Sequence, residues 1–424
     1  MVARHFAGRL LWDEETTTYW VHDEKKMAWE PIVPRRFQKN VAKYVQIADP
    51  ANRLTVGKIE DIVKQIRNHI DWMPMVKETH VSLSDTQIEL STLDFVPYRM
   101  ENFAIVHLNA TREEFDRCES PIFDKYLDDT CTDLEGNQNV GQRLQLQEIA
   151  GFVLSNDRAE KAFFLLGKGS NGKSPYLDLL RALVGRDRCH AASLSELTTQ
   201  NFNLCDLVGK KLNAKAEEES QKVSLARLKE IVSGEPITAR RLYEPNFTFV
   251  CRARFVYSTN DPPRMDGLDF AVRRRLLVVP FQHTMKETEY DRNLSEKIIA
   301  SELPAVARWA LEGLRRLRKN NFVFTETKQS KEALDEFERV NSSGKEFLSE
   351  NYERREGAKK ISGDLYVEYA KWCRENNRVP VSSGKFFRVC THEYGESLAS
   401  KDESRKSVRH YPIARIGTPD TLNF

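Results

Sequence analysis

Long apolar runs are absent from the sequence, since none approaches the roughly 20 residues that a membrane-spanning helix needs. No secretory signal peptide opens the sequence either. We therefore expect a cytoplasmic protein, in the host cytoplasm if the chain is viral, with no membrane partner. The seven cysteines include no Cys-x-x-Cys pair, so the sequence indicates neither a zinc site nor a disulfide framework.

An excess of either charge is also absent. Lys and Arg number 65 and Asp and Glu 63, which gives a net charge of +2. Proteins that wrap duplex DNA are usually strongly basic, so the composition does not favour that class. A protein that grips DNA inside a narrow ring needs only local basic residues and is compatible with this charge. The 424 residues, 40% of them hydrophobic, are enough for two or three domains.

The order of strand and helix patterns changes near residue 150. Before it, aromatic strands mix with helices, and the segments TYWVH and MAWEPI on either side of residues 23–26 predict a hairpin. We find no catalytic constellation there. The run AFFLL, Ala162–Leu166, is typical of a buried parallel strand, and strands and helices alternate from it to about Phe281.

A phosphate-binding loop follows this run. Residues 167–174 satisfy the pattern G-x-x-x-x-G-K-[ST] in full. Glycines let the backbone point N–H groups at phosphates, and the next helix adds positive potential at its N-terminus. We expect Lys173 to reach the β- and γ-phosphates of ATP and the Ser174 hydroxyl to ligate Mg²⁺. Pro175 fits the first helical turn. The alternative is a glycine-rich turn without nucleotide. The predicted nucleotide-binding residues are Gly167, Lys168, Gly169, Ser170, Asn171, Gly172, Lys173 and Ser174.

An acidic partner for the metal is predicted in KKLNAKAEEES. Such sites usually place an acid at the end of a neighbouring strand, where it holds magnesium and polarises the attacking water. Glu217, Glu218 and Glu219 follow a weakly apolar stretch that Lys215 interrupts. Which glutamate faces the metal stays open, and a solvated acidic helix start is the alternative.

Two further segments carry basic residues. Apolar and polar residues alternate on both sides of residues 240–246. This pattern predicts a hairpin with Arg240, Arg241 and Tyr243 near its tip. A basic pair beside an aromatic ring suits single-stranded DNA. Arg273, Arg274 and Arg275 precede the strand LLVVPF. They are either surface charge or a contact with the nucleotide of a neighbouring subunit, where an arginine stabilises the transition state.

A polar residue ends the strand RARFVYS. Asn260 follows that strand, and next to the phosphate-loop strand of a parallel sheet it is placed to position the attacking water. A role in capping the loop is the alternative.

The C-terminal part has the order of elements of a winged helix. Residues 342–344, Ser-Ser-Gly, predict a flexible joint. Two helices and a closing hairpin over residues 407–416 are expected after it. The basic residues of this part either contact DNA phosphates or form a solvated surface. These residues are Lys385, Arg388, His392, Arg405, Lys406 and Arg409.

Five segments occur in a recognisable order: GKGSNGKS, KKLNAKAEE, LKEIVSGEPITARRLY, FVYSTNDPP and AVRRRLLVVPF. Together they resemble the superfamily 3 helicases, specifically the phage and plasmid primase-helicase family that includes the poxvirus primase-helicase. The resemblance is specific over residues 151–281 and looser upstream. It implies an α/β fold whose AAA+ type P-loop ATPase core, with a parallel sheet, covers residues 151–325. An α+β N-terminal helicase-associated domain (1–150) and a linker with a C-terminal winged-helix domain (326–424) flank this core.

The same resemblance implies a replicative DNA helicase. Such a protein forms a homo-hexameric ring, uses ATP and Mg²⁺, moves on single-stranded DNA and unwinds forked DNA. Its catalytic residues carried over onto this chain are Lys173, Glu217, Glu218, Asn260, Arg274 and Arg275. Ser174 and Glu217 serve the metal, Arg275 is the arginine finger, and Arg240, Arg241 and Tyr243 bind DNA. Pro175, Lys215 and Arg273 depart from the family pattern.

Other assignments stay open beside this one. Nothing upstream offers the paired carboxylates of a primase, so we expect a primase or polymerase to be a separate protein or to lie on a longer chain. An initiator that assembles on an origin without unwinding is the first alternative. A P-loop kinase is the second, and it would leave the hairpin and the arginine triplet without a role.

Overall fold

The computed structural model describes most of the chain, and the bounds below refer to that part: residues 8–51, 54–72, 78–199, 201–218, 223–242, 244–263, 265, 270–284, 291–376, 378, 380–401 and 407–417.

The strands lie, in chain order, at Leu10–Asp13 (β1), Thr18–Asp23 (β2), Ala28–Ile32 (β3), Asp71–Trp72 (β4), His80–Ser82 (β5), Gln87–Glu89 (β6), Phe95–Val96 (β7), Ala104–His107 (β8), Ala162–Leu166 (β9), Cys189–His190 (β10), Leu212–Lys215 (β11), Pro236–Arg240 (β12), Asn246–Val250 (β13), Arg254–Thr259 (β14), Leu276–Pro280 (β15), Tyr352–Arg354 (β16), Lys360–Ile361 (β17), Leu398–Lys401 (β18), Ser407–Tyr411 (β19) and Ile413–Arg415 (β20).

The α-helices lie at Pro34–Ala48 (α1), Val56–His69 (α2), Arg112–Arg117 (α3), Pro121–Thr130 (α4), Val140–Leu154 (α5), Lys173–Val184 (α6), Leu194–Thr199 (α7), Asn201–Leu204 (α8), Leu225–Ser233 (α9), Phe270–Arg273 (α10), Leu294–Ser301 (α11), Leu303–Lys319 (α12), Lys328–Asn341 (α13), Ser343–Asn351 (α14), Ser362–Glu375 (α15) and Ser383–Tyr394 (α16). Within the described ranges, no helix is both long and apolar enough to cross a membrane.

A five-stranded sheet is the centre of the molecule. All its strands are parallel, and their order is β10-β11-β14-β9-β15. The AFFLL run forms β9, as the sequence predicts. Successive residues of β9 enter two different cores, Phe163 and Leu165 on one face and Ala162 and Phe164 on the other. Burial on both faces explains why this strand is continuously apolar rather than alternating.

Two smaller sheets precede the central one. Their strand orders are β3-β2-β1-β4 and β7-β6-β5-β8. The predicted hairpin is confirmed, because β2 and β3 pair antiparallel from Tyr19 with Ile32 to Asp23 with Ala28. Helix α1 contributes Phe37, and helix α2 contributes Val63 and Ile66, to a separate core over the first sheet.

The core is continuous around residue 150. Helix α5 runs through this position and crosses α12 so closely that a Cβ on Gly151 would lie 2.3 Å from the Ala310 carbonyl oxygen, and one on Gly313 would lie 2.3 Å from that of Gln147. One hydrophobic cluster includes residues on both sides, among them Phe103 and the β9 residues. No gap in the packing marks the predicted domain boundary at residue 150. That boundary therefore stays a prediction.

The C-terminal helices have a core of their own. Leu365, Tyr369, Cys373, Phe386 and Cys390 are buried in it, on the two helices α15 and α16 that the sequence predicts.

Two predictions for this part are wrong. Residues 342–344 are no flexible joint, because Ser342 caps α14 and the buried Ser343 hydroxyl bonds the Tyr369 hydroxyl at 2.7 Å. Residues 407–416 form no hairpin either. Strand β19 pairs with β18, whereas β20 returns to β16. Both errors arise because tertiary partners decide the structure of these short polar segments.

Helix α13 joins the two parts. Thr327 and Ser330 cap each other at its start, and Phe337 packs against Phe164 of β9 with ring centroids 5.0 Å apart. At its end, the fully buried Asn341 donates to the Pro263 carbonyl at 2.9 Å and accepts from the Met265 N–H. The helix that leads into the C-terminal helices is thus fixed, at its last residue, to the loop after β14.

Candidate functional site

The phosphate loop lies at the carboxyl end of β9 and runs into α6. Gly169, Ser170 and Gly172 have φ values of +86°, +42° and +89°. A side chain on Gly172 is excluded by space as well as by φ, because its Cβ would lie 2.4 Å from the Thr130 hydroxyl oxygen. The left-handed turns that the glycines allow are those that aim successive N–H groups into one concavity.

Lys173 lies folded over this loop. Its Nζ donates to the Gly167 carbonyl and to Oδ1 of Asn171 at 3.0 Å. The Asn171 amide in turn donates to the Phe281 carbonyl at 3.2 Å. Burial lowers the pKa of the Lys173 ammonium to about 8. Ser174, one residue on, is exposed, so its hydroxyl is accessible to a ligand.

Two side chains of helix α4 support the phosphate loop, although no feature of the sequence connects this helix with it. The Tyr126 hydroxyl donates to the Gly172 carbonyl at 2.8 Å, and Thr130 blocks a side chain at the same glycine. Both residues are buried. An apolar helix face with one tyrosine gives no sequence signal for such a contact.

The glutamates end β11, and the structure corrects their predicted position. Strand β14 lies between β11 and β9, so the acidic strand is no direct neighbour of the phosphate-loop strand. Because the three strands are parallel, their carboxyl ends still share one edge of the sheet.

Two of the three glutamates are described, and they differ in environment. Glu218 is 1% exposed, donates its N–H to the Ser258 carbonyl at 2.8 Å, and accepts from the Leu194 N–H at 3.1 Å through its carboxylate. Glu217 is exposed and has a φ of +56°, a conformation that is unusual for a residue other than glycine. Glu219 lies outside the described residues. The catalytic roles of Glu217 and Glu218, and the metal-binding role of Glu217, stay predictions.

Asn260 directly follows β14 beside the phosphate loop. Thr259 pairs with Leu166 in the ladder, and its carbonyl accepts from the Gly167 N–H at 3.1 Å. Asn260 itself is exposed. Its predicted position next to the phosphate-loop strand is therefore confirmed, and its role with the attacking water stays a prediction.

The arginine triplet lies at the opposite edge of the sheet. Arg275 precedes β15, and its carbonyl accepts from the Ala162 N–H at the start of β9. Five residues of β9 separate this point from the phosphate loop, a span of about 17 Å at the usual rise per residue. The structure thus places Lys173, Ser174, Glu217, Glu218 and Asn260 on one edge of the sheet, and the triplet on the other.

Each arginine of the triplet has partners within the chain. Arg275 contacts Glu160 at 2.8 Å and Ser233 at 3.0 Å, and its side chain is 11% exposed. Arg274 also contacts Glu160, at 3.2 Å, but is more than half exposed. Arg273 pairs with Asp335 and Glu338 on α13.

The predicted hairpin is confirmed as β12 and β13, with Arg240 paired to Asn246 at the tip. Arg240 is exposed. Arg241 instead donates to the hydroxyls of Thr17 at 2.7 Å and Thr18 at 3.0 Å, at the start of β2.

The Arg241 guanidinium also lies 4.7 Å from the centroid of the Phe247 ring, and the side chain is 11% exposed. Tyr243 lies outside the described residues. The DNA-binding role of all three hairpin residues stays a prediction.

Comparisons of sequence cover part of the chain. A family of unknown function, DUF5906, matches residues 165–275, which include the phosphate loop, the glutamates, the hairpin and the arginine triplet. Over 136 residues the chain is 29% identical to "Putative helicase L207/L206" of Acanthamoeba polyphaga mimivirus. The match covers 30% of this chain and 14% of that protein, so the chain spans only a small part of that relative.

Comparisons of structure cover nearly the whole chain. The A form apo structure of the NrS-1 C-terminal region is similar over 97% of this chain and 98% of that one, with a TM-score of 0.52 and 14% identity. The apo structure of NrS-1 residues 305–718 is similar over 96% of each chain, with a TM-score of 0.47 and 14% identity. The chain therefore has the fold of the NrS-1 C-terminal region, and a stretch of 136 residues is similar in sequence to a protein named as a putative helicase.

Proposed function

We propose that the protein is an ATP-dependent replicative DNA helicase of the superfamily 3 type, acting in the cytoplasm for a phage, a plasmid or a related mobile element. One observation carries the proposal. A complete phosphate loop, an acidic strand end and a polar strand end meet at one edge of a parallel sheet, while three arginines lie at the other. The three arginines would have no role in a P-loop kinase. The arrangement therefore supports a motor built from several subunits.

The residues at the loop fit ATP and Mg²⁺. Lys173 is the cation for the β- and γ-phosphates, and the exposed Ser174 hydroxyl and Glu217 would hold the metal. Magnesium is commonly bound by one or two carboxylates together with substrate phosphates. When bound, the metal neutralises charge that develops on the phosphates. Asn260 would orient the attacking water from the neighbouring strand end.

A ring follows from the position of the arginine finger. Arg275 is about 17 Å from the phosphate loop of its own chain, too far for its guanidinium to touch the γ-phosphate there. It can serve catalysis only on the nucleotide of an adjacent subunit, and a closed series of such contacts is a cyclic oligomer. A homo-hexameric AAA+ ring is the assembly that the family resemblance implies.

Single-stranded and forked DNA are the proposed substrates. The hairpin β12–β13 carries the exposed Arg240 at its tip, where charge would meet the phosphates of a strand in the ring channel. The C-terminal helices, with the hairpin β18–β19 behind them, would form the winged-helix domain. A primase or polymerase, separate or covalently linked, would extend the strands that the motor opens.

An unwinding assay on forked DNA, with each tail orientation and with ATP, tests the proposal. The unaltered protein should displace the strand, and Lys173→Ala should abolish displacement and DNA-stimulated ATP hydrolysis. Lys319→Ala, which removes a lysine from the end of α12, is the matched control and should leave both unchanged. ATP-dependent footprinting without displacement would instead identify an origin-binding initiator. A stable monomer that hydrolyses ATP without DNA would exclude both functions.

A further inference from the structure

A cleft of about 690 Å³ lies where the C-terminal helices meet the arginine triplet. Phe270 and Arg273 form its wall on the ATPase side. Helix α16 forms the opposite wall with Lys385, Arg388 and His392. These three positions follow one another at intervals of three and four residues, so they share one face of the helix.

The charges of this cleft favour an anion. Lys385 and Arg388 are exposed on α16. The two carboxylates that line the cleft already have cationic partners, since Arg273 contacts Asp335 at 2.6 Å and also pairs with Glu338.

Three more contacts complete the charge balance. Lys345 at the base of the cleft contacts Glu338 at 3.2 Å and Glu393 of α16 at 3.1 Å. His392 also pairs with Glu393, at 3.0 Å. Four Lys and Arg side chains against three carboxylates, with His392 uncounted, leave one positive charge in excess. That excess lies on the exposed side of α16.

An aromatic ring stands at the edge of the same cleft. Phe270 is 80% exposed, so the face of its ring is accessible to a ligand in the cleft. A ring face beside basic residues is the combination that binds single-stranded nucleic acid, because bases stack on the ring while phosphates meet the charges. The volume is that of a small-ligand site, so a short stretch of single strand fits where a duplex does not.

We propose that this cleft is a second binding site for single-stranded DNA, outside the ring channel and separate from the hairpin β12–β13. Phosphates would contact Lys385 and Arg388, and a base would stack on Phe270. The site needs neither ATP nor unwinding, so it is tested independently of the proposed function. Its position next to Arg273 places the bound strand beside the edge of the sheet that carries the arginine finger.

Equilibrium binding of a fluorescent oligo-dT to the full chain, without ATP and at several salt concentrations, tests this proposal. Lys385→Ala with Arg388→Ala should weaken binding and reduce the salt slope by about 1.4, since each single-strand phosphate contact contributes about 0.7. Phe270→Ala should weaken binding about 5- to 150-fold at every salt concentration without changing the slope.

Lys371→Ala with Arg374→Ala is the matched control, because it removes the same charge from the exposed surface of the neighbouring helix α15. The proposal is overturned if this control reduces the slope as much as the cleft variant, or if the cleft variant leaves the slope unchanged. It is also overturned if Phe270→Ala alters the oligomeric state while the affinity for oligo-dT stays the same, because the face is then an interface between copies. Equal binding of a fluorescent poly-glutamate peptide, lost in the same variants, would overturn it in favour of an acidic protein partner.

Discussion

Arg275 contacts Glu160 with 2.8 Å between its Nη2 and the carboxylate Oε2. Glu160 lies two residues before β9, the strand that leads into the phosphate loop of the same chain. In the proposed ring, Arg275 would serve the nucleotide of one subunit, while its partner Glu160 precedes the strand that carries the phosphate loop for another. The ion pair would then connect neighbouring nucleotide sites.

Mixing two inactive variants tests the shared site. Arg275→Ala should lower ATP hydrolysis about a thousandfold or more in the assembled ring, because the transition-state charge loses its arginine. Lys173→Ala should be equally inactive. Mixed rings should regain part of the activity, since some interfaces then combine an intact Lys173 with an intact Arg275. A mixture of Lys173→Ala with Lys173→Met is the control that must stay inactive, and failure of the first mixture to recover would place both residues in one subunit's site.

The affinity for ATP should depend on pH through Lys173. Its pKa is lowered to about 8 by burial, and contact with the phosphates requires the charged form. Above pH 8 binding must take up a proton, so the dissociation constant of a non-hydrolysable ATP analogue should rise with pH, by up to about tenfold per unit. Below pH 8 it should be flat. Lys173→Arg, which stays charged, should remove the dependence, and the same rise in that variant would assign it to another group.

The same shift affects stability without nucleotide. The ordinary pKa of a lysine is 10.5, so between about pH 8 and 10.5 the unfolded chain binds more protons than the folded one. The contribution of Lys173 to the free energy of unfolding should therefore increase as pH rises through this window. Urea unfolding of the unaltered protein and of Lys173→Met at pH 7.5 and 9.5 measures it. The unaltered protein should gain stability relative to the variant at the higher pH.

A buried ion pair should stabilise the attachment of the N-terminal sheets to the central sheet. Lys211 donates to Glu78 at 2.6 Å, with both side chains at most 3% exposed, and also to the Ser155 carbonyl at 2.9 Å. Lys211→Met should lower the free energy of unfolding by about 3–5 kcal/mol, because it leaves a buried carboxylate unpaired. Adding Glu78→Gln should restore most of this loss. Equal stability of the single and double variants in urea would contradict the prediction.

Arg240 gives a cleaner test than Arg241 of the proposed contact between DNA and the hairpin β12–β13. Arg241 holds the hairpin to Thr17 and Thr18, so Arg241→Ala should lower thermal stability as well as any DNA contact. Arg240→Ala should leave the melting temperature unchanged and reduce unwinding and the salt slope of DNA binding. Thr238→Ala, on the same exposed face of the hairpin, is the matched control. Normal unwinding by Arg240→Ala would mean that the hairpin does not grip DNA.

The local features of the site could be predicted from the sequence, because neighbouring residues determine them. The continuous apolar run of β9, the glycines of the loop and the alternation of β12 and β13 each carry their own signal. The order of the strands in the sheet has no such local signal. The placement of β14 between β9 and β11 depends on packing between distant segments. For that reason the prediction that the acidic strand adjoins the phosphate-loop strand was wrong.

Contacts between side chains that are distant in the chain also could not be predicted from the sequence. Tyr126 and Thr130 shape the phosphate loop from a helix more than 40 positions earlier in the chain, and Arg241 is bound by threonines of the first hairpin. Residues 342–344 have the composition of a loop, yet Ser343 is buried against Tyr369. In each case tertiary contact overrides what local composition indicates.

Asn341 gives the C-terminal helices a mechanical role. Its amide is bonded to Pro263 and Met265, just after Asn260, and α14 begins two residues later. The residue therefore joins the loop that follows Asn260 to the start of the C-terminal unit. As long as those bonds hold, a displacement of that loop would also displace the end of α13 and, with it, the start of α14.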